Sequence, residues 1–432
     1  MKIGSRILIG AGCAILLIVS WIVAVTAPSD GEKQLSLIHQ AAALMDDKIY
    51  ITAVPLLEEA ISYRGEYTLE AETLLKQAYL KLIEQQGYQR KYTGLLEKQM
   101  NRDDAAPDIF LEAANYYLGR SKLSDALSVL RTGIEKTGSE ELIALYEENR
   151  YAYQKGYNYY ENVAATYNSM IAVKRDGLWG LANTDGTLLF ECQFEKISTY
   201  SNNRAIVRMD NEIFAVDSSG NRIALLKESA SEFGNYANDR VSLLIGGKWR
   251  RATGDFEIGS MSFEQLGTYS NGYVAAKKDG KWGVIDLGEE WLLSPEYDEI
   301  IMNELGQSYE QGAVFARRGG AVYLFVDGNE AGGPYDDARP FDEEGYAAVK
   351  KDGKWGFVDA SGQLQIPYQF DDALSFGQHL AAVKVDGYWG YISLNGKVVI
   401  EPVFLAAKSF SGGSAPVQTD NGWQFITLLE YK

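Results

Sequence analysis

The chain has 432 residues, enough for two or three domains with cores of their own. Its formal net charge of −18 excludes a sequence-independent hold on nucleic acid, which needs a basic face to displace counterions. With 46% hydrophobic and 12% aromatic residues, the composition is that of a folded protein and not of an acidic disordered tail.

Residues 7–25 (ILIGAGCAILLIVSWIVAV) carry no charge, and a run of that length approaches the ~20 residues that a helix needs to cross a bilayer core. Lys2 and Arg6 precede the run, and Asp30 and Glu32 follow it. The positive-inside rule then predicts a single-pass signal anchor in the cell membrane, with a cytoplasmic amino terminus and an extracytoplasmic body. Cleavage after Ala27 is the alternative, since Val25-Thr26-Ala27 resembles a small-residue processing site, and it would make the protein secreted. Segment 1–31 is read as this anchor, contacting the membrane through residues 7–25. Cys13 and Cys192, the two cysteines, stand far apart and support no disulfide.

From 32 to 156 the apolar residues recur at helical spacing. Leu56, Leu57, Ala60 and Ile61 share one face, as do Leu74, Leu75, Ala78, Tyr79, Leu82 and Ile83. Ile109, Phe110, Ala113, Ala114, Tyr117 and Leu118 form a third set, answered by Ala126, Leu127, Leu130 and Ile134. Glycines 65, 87, 119 and 138 break the pattern into helix–turn–helix units. Leu37, Ala41, Leu44, Ala53, Leu57 and Ala60 recur as Phe110, Ala114, Tyr117, Ala126, Leu130 and Gly133. That spacing resembles tetratricopeptide repeats, which implies a helical spacer or a peptide clamp.

Residues 157–432 are organised by tryptophan. KRDGLWGLAN at 174–183, KKDGKWGVID at 277–286, KKDGKWGFVD at 350–359 and KVDGYWGYIS at 384–393 are near-copies of one phrase. Trp249 and Trp423 mark two further copies, while Ile213 and Tyr323 are assigned the tryptophan place in two weaker ones. The eight slots recur about every 35 residues, which is the signature of a repeat architecture. Asp-Gly precedes Trp179, Trp282, Trp355 and Trp389, and Asn421-Gly422 precedes Trp423. Such pairs supply the two positive φ angles of a tight hairpin. An aromatic residue follows fifteen positions after the tryptophan in Phe194, Tyr297, Phe370 and Phe404. The unit reads as three short strands, so the array is expected to hold about eight three-stranded repeats, arranged as a propeller-like ring or an open β-solenoid. In the ring, the tyrosine-rich stretch 157–167 is expected to pair near residues 422–428.

These motifs resemble the WG-repeat (KWG-repeat) family, whose members are mostly bacterial. The resemblance implies that Trp179, Gly180, Trp249, Trp282, Gly283, Trp355, Gly356, Trp389, Gly390 and Trp423 are structural, and leaves the molecular activity undefined. Physically, an indole can seal one repeat against the next, while an adjacent glycine admits a neighbouring backbone.

Chemistry-bearing patterns are scarce. His39 and His379 are the only histidines and fall in different domains, so a histidine-based nucleophilic site or a clustered metal site is not expected. The adjacent acids Asp298-Glu299, Asp336-Asp337 and Asp371-Asp372 each occupy the same place in their repeat, which suits turn-capping better than a catalytic pair. No catalytic, cofactor or metal residue is assigned. The expected role is a membrane-anchored, non-enzymatic binding or scaffold protein of the bacterial cell envelope, with a protein or cell-wall polymer as partner. The alternatives are an envelope glycan hydrolase using carboxylates, or a wall-polymer-binding spacer.

Overall fold

The computed structural model describes residues 29–430, which divide into two compact units between Tyr146 and Glu147. The division falls ahead of the 156/157 boundary expected from sequence, because strand Tyr153–Lys155 pairs within the second unit.

Seven helices are found among the described residues: Asp30–Asp46, Tyr50–Ser62, Thr68–Lys81, Tyr88–Met100, Pro107–Leu118, Leu123–Thr137 and Glu140–Asn149. Ser29 opens the first with a reciprocal capping box to Glu32. Each helix buries one face and leaves the rest polar. Ile38, Ala41, Ala53, Leu57, Ala60, Ala71 and Ala78 are fully buried, and the small residues let successive helices pack closely. A buried carboxylate, Glu72, is held by Arg102 and by Gln99 at 2.9 Å.

The single-pass membrane reading is corrected here. Among the described residues no helix is long and apolar enough to cross a membrane, and residues 7–25, on which that reading rested, lie outside them. The longest helix among the described residues, Asp30–Asp46, has 17 residues and a polar face, short of a span. The extracytoplasmic placement of the body depended on the span and is withdrawn with it.

The second unit is a closed β-propeller of eight blades. Seven blades are four-stranded, so the expected three-stranded unit is also corrected. Blade 6 is representative, with strands A (Asp337–Ala338), B (Tyr346–Lys351), C (Lys354–Asp359) and D (Leu364–Phe370). The strand missed from sequence is A, which has only two regularly paired residues before its backbone loosens into a linker. Blade 3 keeps three regular strands, Ala230–Ala237, Arg240–Ile245 and Lys248–Thr253, and replaces D by the isolated bridges Trp249↔Phe263 and Ala252↔Ile258.

The ring closes through its own beginning. Blade 8 takes A, B and C from Ala406–Ala407, Ser414–Thr419 and Gly422–Leu428, and its outer strand is Tyr153–Lys155. Tyr153 pairs with Leu428 and Lys155 with Ile426, and Tyr160 bridges Trp423 a little farther on. The closing segment therefore starts before the tyrosine-rich stretch 157–167 and only enters it. No edge is left at the junction of first and last blades, where an open sheet would invite further pairing.

Candidate functional site: the channel mouth

The B–C hairpins follow from their turn residues. Asp279-Gly280 has φ of 52° and 78°, and Asp352-Gly353 has 51° and 80°, as a two-residue hairpin of matching twist requires. In blade 8 the register Thr419↔Gly422 puts Asp420-Asn421 at the tip, one residue earlier than the Asn421-Gly422 pair read from sequence.

Each of the six motif tryptophans then lies at the second residue of strand C. Trp355 is opposite Lys350 and Phe370, and Trp282 is opposite Lys277 and Tyr297. The indoles face the next blade. Trp355, 3% exposed, packs in one cluster with Ala381, Val383 and Ile392 of blade 7. Trp282 does the same with Val314 and Ala316 of blade 5, and Trp423 with Ile171 and Val173 of blade 1. Trp179, Trp249 and Trp389 are half-buried at equivalent joints.

The glycine after the tryptophan has a separate task. Strand D bulges opposite it, and a Cβ on Gly180, Gly283, Gly356 or Gly390 would stand 2.4–2.8 Å from a backbone carbonyl of that strand. Blade 3 has Arg250 in this place, and it is the blade whose fourth strand is irregular. In blade 5 the register Arg317↔Val322 gives the tryptophan slot to Val322, not Tyr323. Tyr323 sits one residue on, beneath Arg318 at 4.9 Å.

The repeated acids act as turn caps. Asp298, Asp336, Glu161 and Glu264 accept bonds at 3.0–3.2 Å from the B–C turn amides of Gly319, Gly353, Gly177 and Gly280. Asp298 also receives Lys281 of the preceding blade at 2.6 Å, and that bond and the Gly319 amide hold its carboxyl below the ordinary aspartate value. Cys192 lies half-buried in strand D of blade 1, where burial pushes its thiol up and so away from the reactive thiolate. His39 is exposed on the first helix, and His379 lies at an exposed turn of blade 7. Among the described residues, no three His, Cys, Asp or Glu side chains are placed to hold a metal.

With the motif residues engaged in blade packing and turns, a cavity of about 720 Å³ at the mouth of the central channel is the candidate site. Its walls are the A–B linkers, which sequence reading did not single out. Their tips again take positive φ, as at Asn168 (50°), Asn238 (52°), Asn271 (48°), Gln311 (49°) and Gln378 (56°). The tips join neighbouring blades: Asn271 Nδ2 donates to Glu310 at 2.7 Å, Gln311 Nε2 to the Glu343 carbonyl at 2.7 Å, and the His379 amide to Glu344 at 2.8 Å. Gln378 Oε1 accepts from the Gly413 amide at 2.9 Å. Asn271-Gly272 is the legible signal for this ring of hairpins, the same turn chemistry as Asp-Gly.

The mouth is acidic. Asp342 has one carboxylate oxygen buried without a partner; burial, with Glu344 nearby, pushes its carboxyl up to about 7 against the pull of the Tyr346 amide. Burial also raises Glu310, and Glu343 adds to it. The cations of the lining are Arg339, 3.5 Å from Asp372 and stacked 4.7 Å from Trp355, and Lys408, paired with Glu304.

Residues 303–307 of blade 5 cross this mouth as a strap. Asn303 Oδ1 accepts the amides of Leu305 and Gln307 at 3.0 Å and folds the segment back on itself. The Leu305 carbonyl accepts Asn235 Nδ2 of blade 3 at 2.9 Å and Thr268 Oγ1 of blade 4 at 2.6 Å. On the opposite side Glu304 reaches Lys408 of blade 8.

Six segments, 179–212, 261–282, 282–304, 335–355, 355–389 and 389–423, match the family described as WG containing repeat. These stretches of the propeller are WG repeats. Each of the longer matched segments starts at a slot residue and ends at the next or one residue short of it, so it takes strands C and D from one blade and A and B from the following one. The unmatched stretches contain the copies with Ile213, Arg250 and Val322, and every match lies in the propeller. No curated protein matches the chain. Among solved structures, a eukaryotic initiation factor is similar at 11% identity and TM-score 0.41, over 62% of this chain and 85% of that one. The Neurospora crassa Pan2 WD40 domain is similar at 10% identity and TM-score 0.36, over 63% and 90%. Likenesses this remote carry no argument about activity.

Proposed function

We propose that this chain is a non-catalytic binding scaffold whose WG propeller offers its channel mouth to a protein partner. The observation that supports the reading is the allocation of side chains. The repeated tryptophans, glycines and acids are engaged in sealing blades and capping turns, while the mouth is lined by A–B linker residues outside the Trp-Gly motif, with Glu310, Asp342, Glu343 and Lys408 among them. Propellers commonly use one end of the ring in this way, an argument from analogy.

The test is photo-crosslinking in intact cells with the reactive group at Asn168 or Gln378 in the mouth, compared with Tyr388 at the outer end of a B–C hairpin. A product formed from the mouth and absent from Tyr388 is expected. Equal labelling at all three sites, or labelling only at Tyr388, refutes the mouth as the binding surface.

One observation favours a glycan-hydrolysing reading: Glu310 and Asp342 are two carboxyls outside the repeated set, in one cavity, both with raised pKa. Both shifts run the same way, whereas hydrolysis by a carboxyl pair needs one acid protonated and the other ionised. Polysaccharide turnover abolished by Glu310→Gln would replace the binding reading.

A further inference from the structure

The strap is an insertion and not the turn of blade 5. Twelve residues, 301–312, join strands A and B there, against six or seven in blades 1, 2, 4, 6, 7 and 8. Blade 5 closes its A–B turn with the bridge Glu310↔Ala313, the counterpart of Gly377↔Leu380 in blade 7 and Ser411↔Ser414 in blade 8. The strap lies upstream of that turn, so the blade is complete without it.

Polar bonds dominate its attachment. Between 302 and 307 only Leu305 is buried, and the carbonyls of Leu305 and Gly306 take three donors, Asn235 Nδ2, Thr268 Oγ1 and the Thr268 amide. A segment ordered with so little apolar burial belongs to the low-stability end of a fold and can open locally. Lys408 adds a constraint. Its side chain is 14% exposed, and its ion pair among the described residues is with Glu304. Opening the strap leaves a desolvated cation without its carboxylate, which is costly unless another anion arrives.

We propose that Asn235, Thr268 and Lys408 form a peptide site in the channel mouth, which the strap fills in cis. Its ligand in trans is an acidic turn of a partner protein, presenting one carboxylate and, at the next residue, an outward carbonyl. The inference rests on the binding-scaffold reading and specifies its ligand. The acids around the rim, Glu310, Asp342, Glu343 and Glu344, select against highly acidic segments and admit a turn that delivers a single carboxylate to Lys408.

The probe is the synthetic peptide of residues 300–309 (IIMNELGQSY), titrated against the full chain and against a chain lacking 303–307. The shortened chain should bind it at least about tenfold more tightly than the full chain. Glu→Gln in the peptide, or Lys408→Ala in the shortened chain, should each remove about tenfold, the effect of losing a charge-assisted bond. A folded shortened chain that binds no better than the parent, or that ignores both changes, overturns the proposal. If the shortened chain does not fold, Glu304→Ala in the full chain decides. It frees the strap's ionic anchor and should increase peptide uptake, and no increase overturns the proposal. Mouth-specific crosslinking of a partner that persists when Lys408 is replaced would sink the strap site and leave the scaffold reading standing.

Discussion

Asp342→Asn is the substitution with the sharpest consequence. In the folded protein its carboxyl is pushed up to about 7 by burial, far above the ordinary aspartate value. The folded state therefore holds this proton more tightly than the unfolded chain. Stability from this group is complete below the unfolded pKa near ~4 and is lost as pH rises through about 7. A difference of ~3 units corresponds to about 4 kcal/mol of penalty for the ionised form. Asparagine removes the charge but leaves a buried amide hydrogen unpaired where the free oxygen stands, at a cost of about 1–3 kcal/mol. The variant should therefore be more stable than the parent by about 1–3 kcal/mol at pH 8 and should gain nothing at pH 4. Urea unfolding followed by tryptophan fluorescence measures this in the right unit, because every described tryptophan lies in the propeller. Parent and variant stabilities that run parallel from pH 4 to 8 would show Asp342 ionised and solvated, and the argument from burial would fail.

Three further outcomes are expected. Trp355→Ala should cost about 3–5 kcal/mol, as large-to-small core changes do, and hydrogen exchange should rise most in blades 6 and 7, which share its cluster. Gly356→Ala should cost about 1–3 kcal/mol because its Cβ would meet the Ile366 carbonyl at 2.7 Å; Gly353→Ala, with open space and φ +80°, should cost about 1 kcal/mol and leave strand D in place by the same exchange measurement. Gln154→Cys with Thr427→Cys, directly opposite in register, should crosslink on oxidation in a Cys192→Ser background and raise the unfolding midpoint; a pair that stays reduced would mean that the ring is not closed there.

What sequence revealed here followed conformational need. Asp-Gly at 279–280 and 352–353 was legible because few residues tolerate two successive positive φ angles, and the period of the tryptophans marked the joints between blades. Strand A escaped notice because two paired residues, such as Asp372-Ala373, have no periodicity to read. Val322 was missed for a related reason: once the indole is replaced by an aliphatic residue, the larger Tyr323 beside it is the more conspicuous choice, and only the pairing with Arg317 separates them. The mouth was illegible because its residues come from different blades and meet only when the ring closes. The strap's role was hidden too, since residues 303–307 resemble any polar surface loop until Lys408, about a hundred positions later, is placed beside Glu304.

The origin of the outer strand of blade 8 has a consequence for how the molecule is made. On a ribosome, Tyr153–Lys155 emerges before any blade, and its partner in strand Gly422–Leu428 is roughly 270 residues behind it. At ~5–20 residues per second that is some tens of seconds in which the first strand waits without its partner. Blades 1 to 7 can form in order meanwhile, each seated against the one before, but the array stays an open arc with an unsatisfied face at either end. Tyr153, Tyr157, Tyr159 and Tyr160 crowd the waiting end, and such surfaces pair readily with copies of themselves. The hazard in producing this protein thus belongs to the unfinished arc, and it ends when the last strand arrives.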